Sequence, residues 1–157
     1  MTKNIVIKIE PFRINITPLG FHKYAHDYYT AAEQWTNKIK DTSYSPVPYF
    51  LYCRAIELGL KAYLLGKRKK IKYVHDLTTI LRDARLNSLD HLFKTTEQEE
   101  NEILIANNIY NKKGFEYFFV LNHVTKLKDL PKLNVLRKYS EKLLREIEEL
   151  VKNTDVD

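Results

Sequence analysis

Cysteine, glycine and proline are scarce in this chain, and each scarcity excludes a class of structure. One cysteine, Cys53, among 157 residues excludes a disulfide framework and any multi-cysteine zinc site. A single thiol also fits a reducing compartment. The four glycines and five prolines amount to about half of their usual share of roughly 12%. We therefore expect long helices with few connections rather than a turn-rich sandwich or barrel.

Long apolar runs are absent as well. No stretch of the sequence approaches the roughly 18–20 uninterrupted apolar residues that a membrane-spanning helix requires. Charged residues interrupt residues 1–16, which therefore lack the apolar region of a secretory signal peptide. We expect a cytoplasmic protein that has no membrane partner.

The residues that are present are those of an ordinary globular domain. Hydrophobic residues make up 44% of the chain and charged residues 29%, which is close to average usage. At roughly 150 residues per domain, the length predicts a single domain with its own core. The net charge is +6, so a partner that carries phosphate groups is one of the classes to consider.

The N-terminal segment is predicted to be extended. β-Branched and aromatic residues recur at every second position in residues 4–10 and again in residues 12–17, which is typical of strands. Pro18 and Gly20 are then expected to break the chain. The predicted organisation is an extended segment or β-ribbon over residues 1–20, a helical bundle over residues 21–152 and a polar tail over residues 153–157.

From residue 21 onwards the hydrophobic period is that of helices. The predicted helices span residues 21 to about 40, residues 45 or 46 to 65, a segment opened by residues 75–77, a segment from about Thr96, and a segment opened by residues 129–131 that continues to about 152. On the first helix the predicted buried face is Tyr24, Tyr28, Ala31, Trp35 and Ile39. The predicted fold class is therefore an all-α antiparallel bundle of about five helices, with a short N-terminal extended or β segment.

The second helix is apolar on two faces, which is typical of a helix inside a bundle. Gly59 lies in its middle, where glycine costs about 0.5–1 kcal/mol relative to alanine, so we expect a neighbouring helix to approach closely there. Its polar strip consists of Arg54, Glu57 and Lys61, in which Glu57 and Lys61 have the i,i+4 spacing of an ion pair.

A basic run connects the second and third helices and has two interpretations. It contains Lys67, Arg68, Lys69, Lys70 and Lys72. These cations can contact the phosphates of RNA, a nucleotide or another polyanion; alternatively, they form a solvated loop. Lys112 and Lys113, together with Lys126, Lys128 and Lys132, strengthen the first interpretation only if they share one face with the run.

Metal and nucleophile chemistry is poorly supported. His22 and His26 have i,i+4 spacing, but the glutamate of a metalloprotease helix and a third ligand are missing, so an exposed helix face is expected instead of a metal site. Cys53 lies in an apolar helix, where a buried thiol is usually inert. We predict no metal and no cofactor, and we expect most of the eleven tyrosines and seven phenylalanines to pack in the core.

Several segments together resemble HEPN domains, the nucleotide-binding helical domains of higher eukaryotes and prokaryotes. Residues 55–62 resemble the A-x-E-x-x-L-K-A helix of that family, and His75-Asp76-Leu77 resembles its H-D-L helix. Residues 109–117, from Ile109-Tyr110 to Tyr117, are similar to a later tyrosine-containing segment. The resemblance covers roughly residues 21–150.

The resemblance implies a helical bundle of about five helices, often paired as a homodimer. It also implies an association with nucleotides or RNA, with a nucleotidyltransferase or antitoxin as a possible class of protein partner. Active ribonucleases of the family carry an R-x(4–6)-H motif after the H-D-L helix, and this chain lacks both Arg and His there. Arg68 and His75 match the spacing formally but precede that helix. The family-motif residues are expected to be structural: Glu57, Lys61, His75, Asp76, Tyr110 and Tyr117.

Three functions follow as hypotheses from this sequence. The leading one is a non-catalytic HEPN-like module that dimerises and binds a nucleotide, RNA or a protein partner. The second is a metal-independent endoribonuclease of toxin or defence type that uses Arg68 and His75. The third is a purely structural interaction module. In the non-catalytic reading, His75 caps a helix or forms a buried hydrogen bond, for which Glu57 is the candidate partner.

Overall fold

The fold was analysed in a computed structural model, which describes residues 16–38, 44–117 and 126–154. These residues form five α-helices: α1 (Pro18–Lys38), α2 (Val47–Gly66), α3 (Leu77–Leu86), α4 (Glu97–Tyr110) and α5 (Leu133–Thr154). Short 3-10 turns at Leu89–His91 and Leu127–Asp129 precede α4 and α5. The predicted all-α bundle is confirmed. The predicted extended segments over residues 4–10 and 12–15 lie outside the described residues.

Helix α2 is the centre of the bundle. It packs against α1, α3, α4 and α5, and most of its residues are buried on every side. The prediction of an interior helix is therefore confirmed. None of the helices in the described ranges is both long and apolar enough to cross a membrane.

The close approach predicted at Gly59 is present where α2 meets α5. A Cβ atom on Gly59 would lie 2.9 Å from Cδ2 of Leu143 and 3.2 Å from Cδ2 of Leu144. Both leucines are buried. Glycine at this position therefore lets the two helices pack at a distance that any side chain would increase.

Helix α1 begins earlier than predicted. Pro18 and Gly20 were expected to break the chain, yet both lie in the first turn of the helix. Proline is favoured at the first helical position, because its fixed φ suits the helix and its missing N–H needs no partner there. The Gly20 amide donates to Oγ1 of Thr17 at 3.0 Å, so Thr17 caps the helix.

The predicted buried face of α1 is wrong. Tyr24 is 47% exposed and Trp35 is 39% exposed, whereas the helix buries mainly small residues, among them Ala25 and Ala32. Small side chains let α1 lie close to α2 and α5, and this rotates the larger aromatic residues away from the core. Ile39, the last residue of that predicted face, lies outside the described residues.

Two helix starts confirm their sequence signatures. Asp76 caps α3 by accepting from the Thr79 amide. Thr96 and Glu99 form the predicted capping box at the start of α4. α5 begins at Leu133, after the predicted opening residues 129–131, and runs to Thr154, which takes up the first residues of the predicted tail.

Candidate functional site

A pocket of about 500 Å³ opens between α1, α2 and the connection from α2 to α3. Its apolar and aromatic lining consists of Ile16, Phe21, Tyr24, Tyr28, Leu58 and Tyr73. Its charged and titratable lining consists of Arg54, Glu57, Lys61 and His75. Three of these four come from one face of α2, because positions i, i+3 and i+7 of a helix point in the same direction.

Glu57 is the centre of a buried hydrogen-bond network. Its side chain is fully buried, and its Oε1 accepts from Nζ of Lys61 at 2.6 Å and from Nη1 of Arg54 at 3.0 Å. Its Oε2 accepts from the Tyr110 hydroxyl at 2.6 Å and lies 3.0 Å from Nδ1 of His75. A buried carboxylate with this many donors is satisfied as the ionised group.

The surroundings of Glu57 decide its protonation. Burial raises the pKa of the Glu57 carboxyl, but hydrogen bonds from Lys61, Tyr110 and His75 outweigh burial, and the pKa lies below its usual value. Burial, together with the nearby Glu57 charge, raises the pKa of Tyr110 far above its usual value. At neutral pH the network therefore holds a carboxylate and a neutral phenol that donates to it.

The contact with Glu57 fixes the orientation of His75. A carboxylate only accepts hydrogen bonds, so Nδ1 of His75 carries the proton that faces Oε2 of Glu57. The His75 side chain is 51% exposed, and Nε2 has no hydrogen-bond partner among the residues that the structure describes. In the neutral imidazole, Nε2 is then an acceptor available to a ligand.

Arg54 lies beside His75 at the boundary between the network and solvent. Its Nη1 is 3.3 Å from Nδ1 of His75, and its guanidinium stands 5.9 Å from the ring centroid of Tyr28. The Arg54 side chain is 26% exposed. It is therefore held in place from two sides while part of its guanidinium faces the pocket.

The aromatic walls of the pocket are unusually exposed. Tyr73 is 80% exposed and Tyr24 is 47% exposed. Tyrosine rings that are accessible beside a cationic group can stack on nucleobases. The prediction that most aromatic residues pack in the core holds for Tyr52, Tyr63 and Tyr139, which are buried, and does not hold for the pocket walls.

The predicted basic run lies next to the pocket rather than in it. Lys67, Arg68, Lys69, Lys70 and Lys72 are all exposed. Arg68, Lys69 and Lys70 line a separate open depression, and Tyr73 borders both that depression and the pocket. Lys72 forms a 2.7 Å ion pair with Asp83.

The predicted pairing of Arg68 with His75 is not what lines the pocket, because the guanidinium that contacts His75 is that of Arg54. Lys112 and Lys113 are exposed beyond the end of α4 and do not line the pocket. The network does bring together four of the residues that the sequence assigned to a structural motif: Glu57, Lys61, His75 and Tyr110.

Two further motif residues lie outside the network. Asp76 caps α3 and also accepts from the side chain of Asn107 on α4 at 3.2 Å. Tyr117 is 57% exposed and does not line the pocket. Asp76 thus has the structural role predicted for it, which is to join α3 to α4.

The structure corrects one expectation about the histidines of α1. His22 was predicted to lie on an exposed face, yet it is 8% exposed, and its Nε2 lies 2.8 Å from the carbonyl oxygen of Leu144. The small residues that draw α1 onto α5 also bury this side. Among the described residues, no group of three or more His, Cys, Asp or Glu side chains is placed to hold a metal ion.

Sequence reasoning missed Arg54 and the exposed tyrosines as site residues. A usable signal for Arg54 was present, since Arg54, Glu57 and Lys61 share one face of a helix that is otherwise apolar all round. No comparable signal marked Tyr73, whose exposure depends on the path of the connection from α2 to α3.

Comparisons with known proteins add no assignment. No protein-family model matches the chain, and neither a curated protein nor a solved structure matches it. The resemblance to HEPN domains therefore stays a prediction.

Proposed function

We propose that this chain is a non-catalytic, HEPN-like module that binds a nucleotide, free or as a unit of RNA, in the pocket beside Arg54 and His75. The observation that carries the proposal is the position of cationic and hydrogen-bonding side chains at the base of a tyrosine-lined pocket. Phosphate contacts and base stacking need these two kinds of side chain close together.

Charge favours an anionic ligand. At neutral pH, Arg54 and Lys61 carry two positive charges, and the only carboxylate that lines the pocket is Glu57. Lys61 spends its donors on Glu57 and on the carbonyl oxygen of Val74. Arg54 is therefore the group that meets a phosphate oxygen, and it can do so with two parallel N–H donors.

Shape favours a planar group beside that phosphate. Tyr24 and Tyr73 present exposed rings within the same pocket. Stacking of a base on an aromatic ring contributes about 1–3 kcal/mol per base and tolerates any base. The site is thus suited to a nucleotide with little base selectivity.

A binding titration tests the proposal. AMP, GMP, CMP and UMP are titrated into the intact protein by calorimetry at about 50 mM salt, because phosphate contacts weaken as salt rises. Losing a hydrogen bond to a charged group costs about 1.5–3 kcal/mol, so we expect Arg54→Ala to weaken binding about 10- to 100-fold. Tyr73→Ala should also weaken binding.

The matched control is Lys138→Ala, which removes one positive charge from an exposed position on α5. We expect this variant to bind nucleotides as the unchanged protein does. The proposal is wrong if no nucleotide binds, or if Arg54→Ala and Lys138→Ala have equal effects.

A metal-independent endoribonuclease is the competing function, and the contact between Arg54 and His75 favours it. In such an enzyme Nε2 of His75 would accept the proton of a ribose 2′-hydroxyl while Arg54 stabilises charge on the phosphate. RNA cleavage in EDTA that is lost in His75→Ala would support this function. We expect no cleavage, because the chain lacks the family's Arg and His after the H-D-L helix.

An exposed stripe on α1 supports the dimer that the HEPN resemblance implies. Tyr24 and Trp35 lie on this stripe together with the exposed Ala31, and exposed apolar patches commonly mark interaction sites. Sedimentation of Trp35→Glu tests it against Leu127→Glu, a matched change at a residue that is 60% exposed. Only the Trp35 change should shift a dimer towards monomer; a dimer without nucleotide binding would leave the purely structural interaction module.

A further inference from the structure

A second groove of about 500 Å³ lies between α3 and α4, away from the nucleotide pocket, and shares no lining residue with it. Its apolar surface comes from Leu81 and Leu86 of α3 and Leu104 of α4. Arg82 and Arg85 of α3 and Glu100 of α4 complete the lining that matters here. The groove therefore combines leucines with a charged margin.

The leucines of this groove are unusually accessible. Leu86 is 77% exposed and Leu104 is 48% exposed, whereas Leu81 is 3% exposed and closes the bottom of the groove. Burying one leucine side chain contributes about 1.5–3 kcal/mol. A partner that covers Leu86 and Leu104 therefore gains apolar burial that this chain alone does not obtain.

The two arginines of the groove differ in their partners. Arg85 is neutralised, because Nε lies 3.0 Å from Asp90 and Nη1 lies 2.8 Å from Glu100. Arg82 is exposed and has no carboxylate within ion-pair distance among the described residues. The groove margin thus holds one positive charge that awaits an acidic group.

We propose that this groove docks an acidic amphipathic helix of a partner protein. Two leucine-type anchors on such a helix cover Leu86 and Leu104, and a glutamate or aspartate beside them pairs with Arg82. The groove follows α3 from Thr78 to Leu86, which at 1.5 Å per residue is about 12 Å, or two helical turns. A helix laid into a groove between two others is a common mode of recognition, and the net charge of +6 favours an acidic partner.

A designed peptide serves as the probe. It has about 14 residues, enough for roughly four helical turns, with leucines on one face and glutamates on the other. A second peptide has lysine in place of every glutamate, and a third has the acidic sequence scrambled so that the leucine face is lost. Binding to the full-length chain is followed by amide chemical shifts, which also show where the peptide docks.

We expect the acidic amphipathic peptide to bind, with shifts concentrated in α3 and α4. Arg82→Glu should weaken this binding at least about tenfold, equivalent to 1.4 kcal/mol, while Lys138→Glu, the same charge reversal on α5, should leave it unchanged. Arg82 and Lys138 are exposed, so both variants should fold. The proposal is overturned if the acidic peptide fails to bind at millimolar concentration, if the lysine or scrambled peptide binds equally well, or if the shifts lie elsewhere. Nucleotide binding by Arg82→Glu should be unchanged, which separates this site from the first pocket.

Discussion

Nδ1 of His75 lies 3.0 Å from Oε2 of Glu57, across a sequence separation of 18 residues. Glu57 belongs to α2, whereas His75 lies in the connection that leads into α3. Tyr110 of α4 donates to the same oxygen at 2.6 Å. One buried carboxylate therefore joins three segments of the chain and orients the imidazole that faces the pocket.

The first prediction concerns the stability of this network. Glu57→Gln removes the charge that Lys61 and Arg54 pair with, and leaves the buried Lys61 ammonium, whose side chain is 6% exposed, without a counter-charge. Removal of one partner from a buried ion pair costs about 3–5 kcal/mol. We expect a loss of that size in the free energy of unfolding, measured by urea denaturation.

The control for Glu57→Gln is the double variant Glu57→Gln/Lys61→Met. If the loss arises from an unpaired buried charge, removal of Lys61 as well should recover part of the stability. Additive losses from the two single changes would contradict this account. The double variant also keeps the prediction testable if Glu57→Gln alone does not fold.

The second prediction concerns acid. The pKa of Glu57 lies below its usual value, and a hydrogen bond from Arg137 lowers the pKa of Glu33. A carboxyl whose pKa is lower in the folded chain contributes stability above its unfolded pKa, about 4.3 for glutamate. That stability is lost as the pH falls through the folded pKa.

We therefore expect the free energy of unfolding to be nearly constant from pH 7 to about pH 5 and to fall below about pH 4.3. Urea titrations at several pH values measure this change. In Glu57→Gln the fall should be shallower, because one of the responsible carboxyls is gone. An equally steep fall in that variant would assign the acid sensitivity to other groups.

The helices of this chain were largely predictable because local chemistry marks their ends. Thr96 and Glu99 form the predicted capping box, and Gly66 is the last residue of α2, next to the predicted end. The orientation of α1 was not predictable from its hydrophobic period alone. Its larger aromatic residues outweighed Ala25 and Ala32 in that pattern, although in the fold the small residues decide how closely α1 packs.

The candidate site was predictable only in part. The sequence supplied the pairing of Glu57 with Lys61 and the candidate contact between Glu57 and His75, both of which the structure contains. It favoured Arg68 as the arginine nearest to His75 in the chain. Arg54 takes that place because α2 presents it on the same face as Glu57, a tertiary relationship that sequence separation does not encode.

The third prediction uses the single cysteine as a probe of opening. Cys53 is fully buried, and burial, followed by the nearby Glu57 charge, raises the pKa of its thiol far above its usual value. Only the thiolate reacts readily, so native protein should react with a thiol reagent at pH 8 at least about 100-fold more slowly than urea-unfolded chain. Rapid stoichiometric modification of the native protein would show that α2 is more accessible than its packing indicates.

The last prediction concerns the contact between α2 and α5. Gly59→Ala has two opposing effects: alanine favours a helix interior by about 0.5–1 kcal/mol, but its Cβ would lie 2.9 Å from Cδ2 of Leu143. Leu143 is fully buried and Leu144 is 4% exposed, so neither side chain can move aside without disturbing the core. Overpacking of this kind costs about 1–3 kcal/mol. We therefore expect a net loss of about 1 kcal/mol in the free energy of unfolding, with a smaller cost in the double variant Gly59→Ala/Leu143→Ala than the two single losses would give together. A more stable Gly59→Ala protein would mean that α5 can yield at Leu143 and that the glycine is not required for the approach of the two helices.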